Sequence, residues 1–185
     1  MTRIFIGPVE ISGIAAGIQA GLAGLGVSAE TVLSFPHPFS YTQTPTSKLA
    51  AIWLKLGEIR ISLASNGRAL SLFLWFIHKA WGWLIFIWAV STFDVFIFMF
   101  GESITGSWLE IYMLKRFKKK IIVVYCGSDA RPAYIDCLTN IAENDSHALR
   151  KIKKRAARQK KKLALFENYA DYIINSPSSD QLQTK

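Results

Sequence analysis

Five short apolar runs punctuate the chain, each closed by a residue that favours a turn. They are Ile4–Ile6 before Gly7, Thr31–Phe35 before Pro36, Phe93–Phe100 before Gly101, Ile121–Cys126 before Gly127, and Tyr172–Ile174 before Asn175. The third and fourth are apolar almost throughout and show no alternation. Strands covered on both faces have this pattern, as in a parallel sheet flanked by helices. Helices are expected over Val9–Leu25, Ser107–Lys120 and Asp145–Tyr169. In the first of these, Gly13, Gly17 and Gly21 recur at four-residue spacing beside Ala16, Ala20 and Ala23. Such a smooth face lets a helix lie close against a sheet. Lipid-embedded helix pairing uses the same spacing, but Glu10 and Gln19 argue against it. Strands alternating with helices predict an α/β fold: a Rossmann-like, doubly wound, mostly parallel sheet of about five strands with flanking helices. Right-handed crossovers then set the turns after the strands along one edge, where ligands bind.

The segment Pro36–Ser47 (PHPFSYTQTPTS) is rich in Pro, Ser and Thr and reads as a loop crossing that edge. One domain is expected over residues 1–176, with 177–185 a polar tail that frays. A length of 185 residues suits a single domain, and a chain 51% hydrophobic and 19% charged is able to bury a core, which argues against general disorder. The N-terminus reads as strand and turn and not as a secretion signal, because Pro8, Glu10 and glycines interrupt it. The two cysteines, Cys126 and Cys137, form no zinc-spaced cluster, so neither a metal nor a disulfide framework is expected, and no cofactor motif is present. A reducing cytoplasm is the simplest compartment for such thiols.

Charge changes the picture. The net charge of +9 favours an anionic partner, whether membrane surface, phosphorylated ligand or nucleic acid. Nine Lys and Arg fall between Arg150 and Lys162 with no acid among them: Arg150, Lys151, Lys153, Lys154, Arg155, Arg158, Lys160, Lys161 and Lys162. They wrap most of a helix. A solvated face is one reading; contact with an anionic membrane, at ~1 kcal/mol per basic residue near the surface, is another. Nucleic acid ranks below both, since no aromatic-interleaved strand or recognition helix accompanies the charge. Ala69–Val90 is long enough to cross a bilayer, but His78 and Lys79 sit at its middle, and a central Lys costs roughly 2.5–3.5 kcal/mol. A span there would also divide the sheet between two compartments. The helix is therefore expected to be buried against the sheet or to lie in the interface, with tryptophans including Trp81 and Trp83 at the headgroups.

Three places offer chemistry. The turn from Gly7 to Gly13 leads from strand to helix, where backbone N–H groups can approach a phosphate or sugar; a purely structural turn has the same signature. It is neither GxGxxG nor a P-loop. The fourth run ends in Cys126-Gly127-Ser128-Asp129-Ala130-Arg131. Arg131 suits a phosphate and Asp129 a sugar hydroxyl or nucleophile, unless Asp129 simply caps its own turn. His37, between two prolines, is a candidate substrate contact, though a lone loop histidine more often has a structural part.

The segments RIFIGPVEISGIAAGIQAGLAGLG, PHPF, DVFIFMFGESI, KKIIVVYCGSDARPAYID and ENYADYIINSP, in this order, resemble the N-terminal, acceptor-side domain of bacterial GT-B type glycosyltransferase-like proteins over nearly the whole chain. In that family the fourth-strand loop commonly reads His-Gly-Ser-Asp-x-Arg, and Cys126 stands here in place of the histidine. The resemblance implies sugar transfer from a nucleotide-activated donor, in a cleft between two Rossmann-like domains, toward cell-surface polysaccharide or glycolipid. It implies Asp129 as the catalytic group and Gly7, Gly13, His37, Ser128 and Arg131 as substrate contacts. The acceptor would be a sugar or a lipid-linked sugar at the inner face of the cell membrane. The donor domain would come from a partner chain; the alternative is a non-catalytic, membrane-associated adaptor that keeps the fold and uses the basic helix on anionic lipid.

Overall fold

A computed structural model describes residues 2–37, 39, 47–65, 67–131 and 146–175. The polar tail, and the Pro36–Ser47 loop beyond His37 save Phe39 and Ser47, lie outside them. The strands are β1 (Arg3–Gly7), β2 (Ser28–Thr31), β3 (Val95–Met99), β4 (Lys120–Val124) and β5 (Tyr172–Ile174). Between them run α1 (Ile14–Gly24), α2 (Lys48–Ser62), α3 (Arg68–Thr92), α4 (Trp108–Arg116) and α5 (Ser146–Tyr169). The sheet is wholly parallel, in the order β2-β1-β3-β4-β5. The doubly wound Rossmann-like α/β fold is therefore the fold of this chain.

The topology decides which helices share a face. The chain steps from β1 to β2 in one direction and thereafter only in the other, so right-handed crossovers send α1 to one face and the later helices to the opposite one. Phe5, Phe96, Phe98, Ile121 and Val123 point from the sheet into the larger core. There they meet Trp53 of α2, Phe86 of α3, Leu114 of α4 and Phe166 of α5. The alternate residues Ile4, Ile6, Ile97, Met99 and Val124 face Ala15, Ile18 and Leu22 of α1. Period-two alternation between two apolar cores is why the central runs carry no polar positions.

Two expectations need correction. The second strand lies at Ser28–Thr31, before the apolar run Thr31–Phe35. Val32 and Leu33 are buried, but they belong to the loop that leaves the sheet: Ser34 N–H bonds Pro8 O, outside the ladder. An apolar run signals burial, and a loop crossing a sheet edge supplies burial as well as a strand does. The glycine stripe of α1 is also turned the other way. A Cβ placed on Gly17 or Gly21 would meet no atom, and both residues are exposed. Ala15, Ile18 and Leu22 make the sheet contact, because the large apolar side chains exclude more water from the sheet than glycines would.

Candidate functional site

Three adjoining cavities line the carboxyl edge of the sheet. The first, about 160 Å³, lies between Pro8–Glu10 and Ser34–His37. The second, about 180 Å³, shares Pro8, Val9, Ser34 and Phe35 with the first and extends to Trp53, His78 and Glu102–Ile104. It straddles the loops after β1 and β3, where the winding reverses; ligands of open α/β sheets bind at such switch points. The third, about 250 Å³, shares Glu102 with the second and is closed by Phe100, the Ser128–Asp129 turn and α5.

The loops that shape these cavities are tied down by two buried carboxylates. Glu10, 4% exposed, accepts from Ala15 N–H (3.2 Å) and Ala16 N–H (3.0 Å). It thus fills the N-terminus of α1, and those two N–H groups are taken by the chain's own side chain. Gly7 also has a structural reason: its φ is 153°, and a Cβ there would stand 2.1 Å from Val32 O. Gly13, in the left-handed region at φ 80°, sits at the N-cap of α1. Glu110, fully buried, accepts from Ile104 N–H (2.9 Å), Thr105 N–H (2.7 Å) and the Thr105 hydroxyl (2.7 Å). Burial pushes its carboxyl above the ordinary range while these donors pull it back. Ser107 caps α4 from the same loop, accepting from Leu109 N–H.

An aromatic stack walls the second cavity. The His78 ring lies between Phe35 (4.8 Å, 25°) and Trp53 (5.7 Å, 23°), and its Nε2–H donates to Ser34 O (3.0 Å). Burial lowers its pKa, so the ring is neutral. Lys79 reaches past it to Thr105 O (2.7 Å), and the Arg60 guanidinium sits over the Phe35 ring (5.4 Å). The polar pair in the middle of the apolar segment thus secures the loops after β2 and β3.

The third cavity brings together residues far apart in sequence. Asp129 accepts from Cys126 N–H (3.0 Å to Oδ2) and Gly127 N–H (2.7 Å to Oδ1), so the carboxylate caps its own turn while bordering the cavity. Gln159 Nε2 donates to Ser128 O (2.6 Å) and Asp129 O (2.9 Å), fastening α5 to that turn. Lys162 pairs with Glu102. Arg155 and Arg158 complete the wall. Arg131 closes the turn through its N–H to Gly127 O (3.1 Å) and stands outside the cavity wall. Burial, first, and the Asp129 charge raise the Cys126 thiol pKa, which makes it a poor nucleophile.

The candidate residues therefore divide. His37, Ser128 and Asp129 line the edge cavities; Gly7 and Gly13 shape the first loop. Of the basic run, Arg155, Arg158 and Lys162 border the third cavity, the two arginines exposed and Lys162 half-buried; Arg150, Lys151, Lys153, Lys154, Lys160 and Lys161 are exposed and are not part of the cavity wall. Trp81 and Trp83 are half-buried: Trp81 donates to Leu49 O (3.1 Å), and Trp83 packs edge-on against Phe86. Of the tryptophans of α3, Trp75 is exposed, and Phe73 and Phe76 are exposed beside it. Sequence reasoning missed Trp53, Arg60, Glu102, Glu110 and Gln159, which no local spacing marks. His78 and Lys79 did carry a signal, a polar pair inside an apolar helix. Among the described residues no group of three His, Cys, Asp or Glu could hold a metal ion.

Sheet order and edge cavities together define the class: a Rossmann-like α/β domain with a cleft at its switch point. In comparison with known proteins, the chain matches no family model, no curated protein and no solved structure.

Proposed function

We propose that the chain is the acceptor-side half of a GT-B type glycosyltransferase, transferring a sugar from a nucleotide-activated donor to a sugar or lipid-linked acceptor for cell-surface polysaccharide or glycolipid. The supporting observation is the line of three cavities along one sheet edge. It brings Pro8, His37, Glu102 and Ser128 to a common face from four separate loops. In such an enzyme a second domain closes over this edge and supplies the donor. Here Asp129 acts by holding the turn, and Ser128 and His37 are the acceptor contacts. The test is transfer from nucleotide sugars by the purified chain alone and mixed with a donor domain supplied in trans. Activity confined to the mixture, and reduced by Asp129→Ala, is expected. A folded chain inactive with every donor domain and acceptor counts against the reading, and unchanged turnover in Asp129→Ala removes that residue from it.

A specific observation also favours a peripheral place at the inner face of the cell membrane. The distal ends of α2 and α3 expose Ile61 (57%), Leu72 (61%), Phe73 (61%) and Phe76 (66%), with no partner element over them among the described residues. From Ile59 to His78 the sequence holds Arg60 and Arg68 and no acid. Contiguous apolar side chains beside cations suit the boundary between headgroups and acyl chains of an anionic bilayer. The exposed side of α5 adds charge facing the same kind of surface. α3 is long and apolar enough to cross a membrane, and only His78, Gly82, Ile85, Phe86 and Ala89 of its 25 residues are buried. Crossing would nonetheless tear β3 from its partner β1.

A further inference from the structure

We propose that the third cavity is a binding site for a phosphate or diphosphate group, held by Arg155 and Arg158. It rests on the geometry of this cavity and does not depend on sugar transfer.

Arg155, Arg158 and Lys162 stand at i, i+3 and i+7 of α5 and so share one helix face. That face borders the turn after β4, with Arg155 and Arg158 exposed at the cavity rim and Lys162 half-buried; on the adjoining stripe Ile152 and Ala156 are half-buried and Leu163 and Phe166 buried. Gln159, between the two groups, bonds both Ser128 O and Asp129 O. The helix and the turn are thereby held at a set distance, and the cations need no rearrangement of backbone to receive a ligand.

The charges around the cavity are unequal. Lys162 is paired with Glu102, and the Asp129 oxygens are engaged by two backbone N–H groups. Among the described residues, Arg155 and Arg158 have no carboxylate partner. Two guanidinium groups border one concavity whose two carboxylates, Glu102 and Asp129, are engaged by Lys162 and by backbone N–H groups; such a pair matches the oxygens of a phosphate, which each fork can bind in bidentate fashion. The size points to a group and not a whole ligand. At about 250 Å³ the cavity falls below the ~300–1,000 Å³ usual for entire small-molecule sites. The remainder of such a ligand would extend over Glu102 toward the aromatic wall of Phe35 and Trp53 in the neighbouring cavity.

The test is a calorimetric titration of the full chain with inorganic pyrophosphate at low ionic strength. It is run beside sedimentation on phosphatidylcholine vesicles with and without phosphatidic acid. The double variant Arg155→Ala/Arg158→Ala is compared with Lys153→Ala/Lys154→Ala, which removes the same charge from an exposed stretch of the same helix. Far-UV circular dichroism checks that both keep the fold. Pyrophosphate binding should weaken at least about tenfold in the arginine variant and by less than about twofold in the lysine variant. A parallel loss of phosphatidic acid binding in the arginine variant alone identifies a lipid headgroup as the source of the phosphate. Retained vesicle binding identifies a soluble ligand. Equal weakening in both variants, or no saturable pyrophosphate binding by the parent chain, overturns the site.

Discussion

Single atoms decide several features of the edge. Gly57 lets α2 pass the loop after β2, since a Cβ there would stand 2.0 Å from Ser34 O and 3.0 Å from the Phe35 ring. Neither a carbonyl nor a packed ring can yield cheaply, so Gly57→Ala should lower stability by about 3 kcal/mol, read as a drop in the urea midpoint. Gly17→Ala gives the opposite sign. Its Cβ would meet nothing, and alanine loses less backbone entropy in a helix, so a gain of up to about 1 kcal/mol is expected. Equal destabilisation by both would mean that the packing around α2 and α1 is not as described. The same arithmetic explains a misreading. Four-residue glycine spacing marks one helix face correctly, but nothing local says whether that face meets the sheet or the solvent.

Elements are joined at this edge and its opposite by carboxylates that bind backbone. Asp171, just before β5, accepts from Ile121 N–H (2.9 Å), Lys115 (2.9 Å) and Lys120 (3.1 Å), and so links β5 to β4 and α4. Burial works against its ionised form, but these three donors prevail and bring its pKa down to about 2 from the ordinary 3.8. A carboxylate with a lowered folded pKa contributes stability above the unfolded value and loses it as pH falls through the folded one. Asp171→Asn should therefore lower stability by about 2 kcal/mol at neutral pH. The difference from the parent chain should close between pH 4 and pH 2. A difference that persists unchanged at pH 2 would assign the effect to shape and not charge. His78 runs the same way: its lowered pKa makes protonation unfavourable in the fold, so its contribution is present above pH 6.5 and shrinks below it.

On the scale of the whole molecule, the sheet edge and the helical hairpin of α2 and α3 have different surfaces. Near the sheet the hairpin is a core element, with Trp53, Ile85 and Phe86 buried; toward its tip it exposes Phe73 and Phe76. If the tip enters a bilayer, replacing Phe73 and Phe76 by Ser should weaken binding to anionic vesicles more than about tenfold without altering the fold, since both side chains leave the core untouched. Binding by the parent chain should also survive salt that screens the exposed charges of α5. Unchanged binding in the Phe variant, or complete loss in moderate salt, would reduce the contact to charge alone.

Sequence alone determined the layer architecture and four of five strand positions, because runs apolar at every position are stable only between two covered faces. It also located the Gly127–Asp129 turn and the basic helix, both of which are local in sequence. Tertiary structure decided what those features face. Whether Asp129 points at a ligand or at Cys126 N–H, whether Gln159 in the basic run meets solvent or the turn after β4, and whether Trp81 lies in an interface or donates to Leu49 O all depend on partners up to 32 residues away. Periodicity records which side of an element is apolar. Only the packed chain settles which group occupies the other side, since burial and hydrogen-bond satisfaction are summed over every element that meets there.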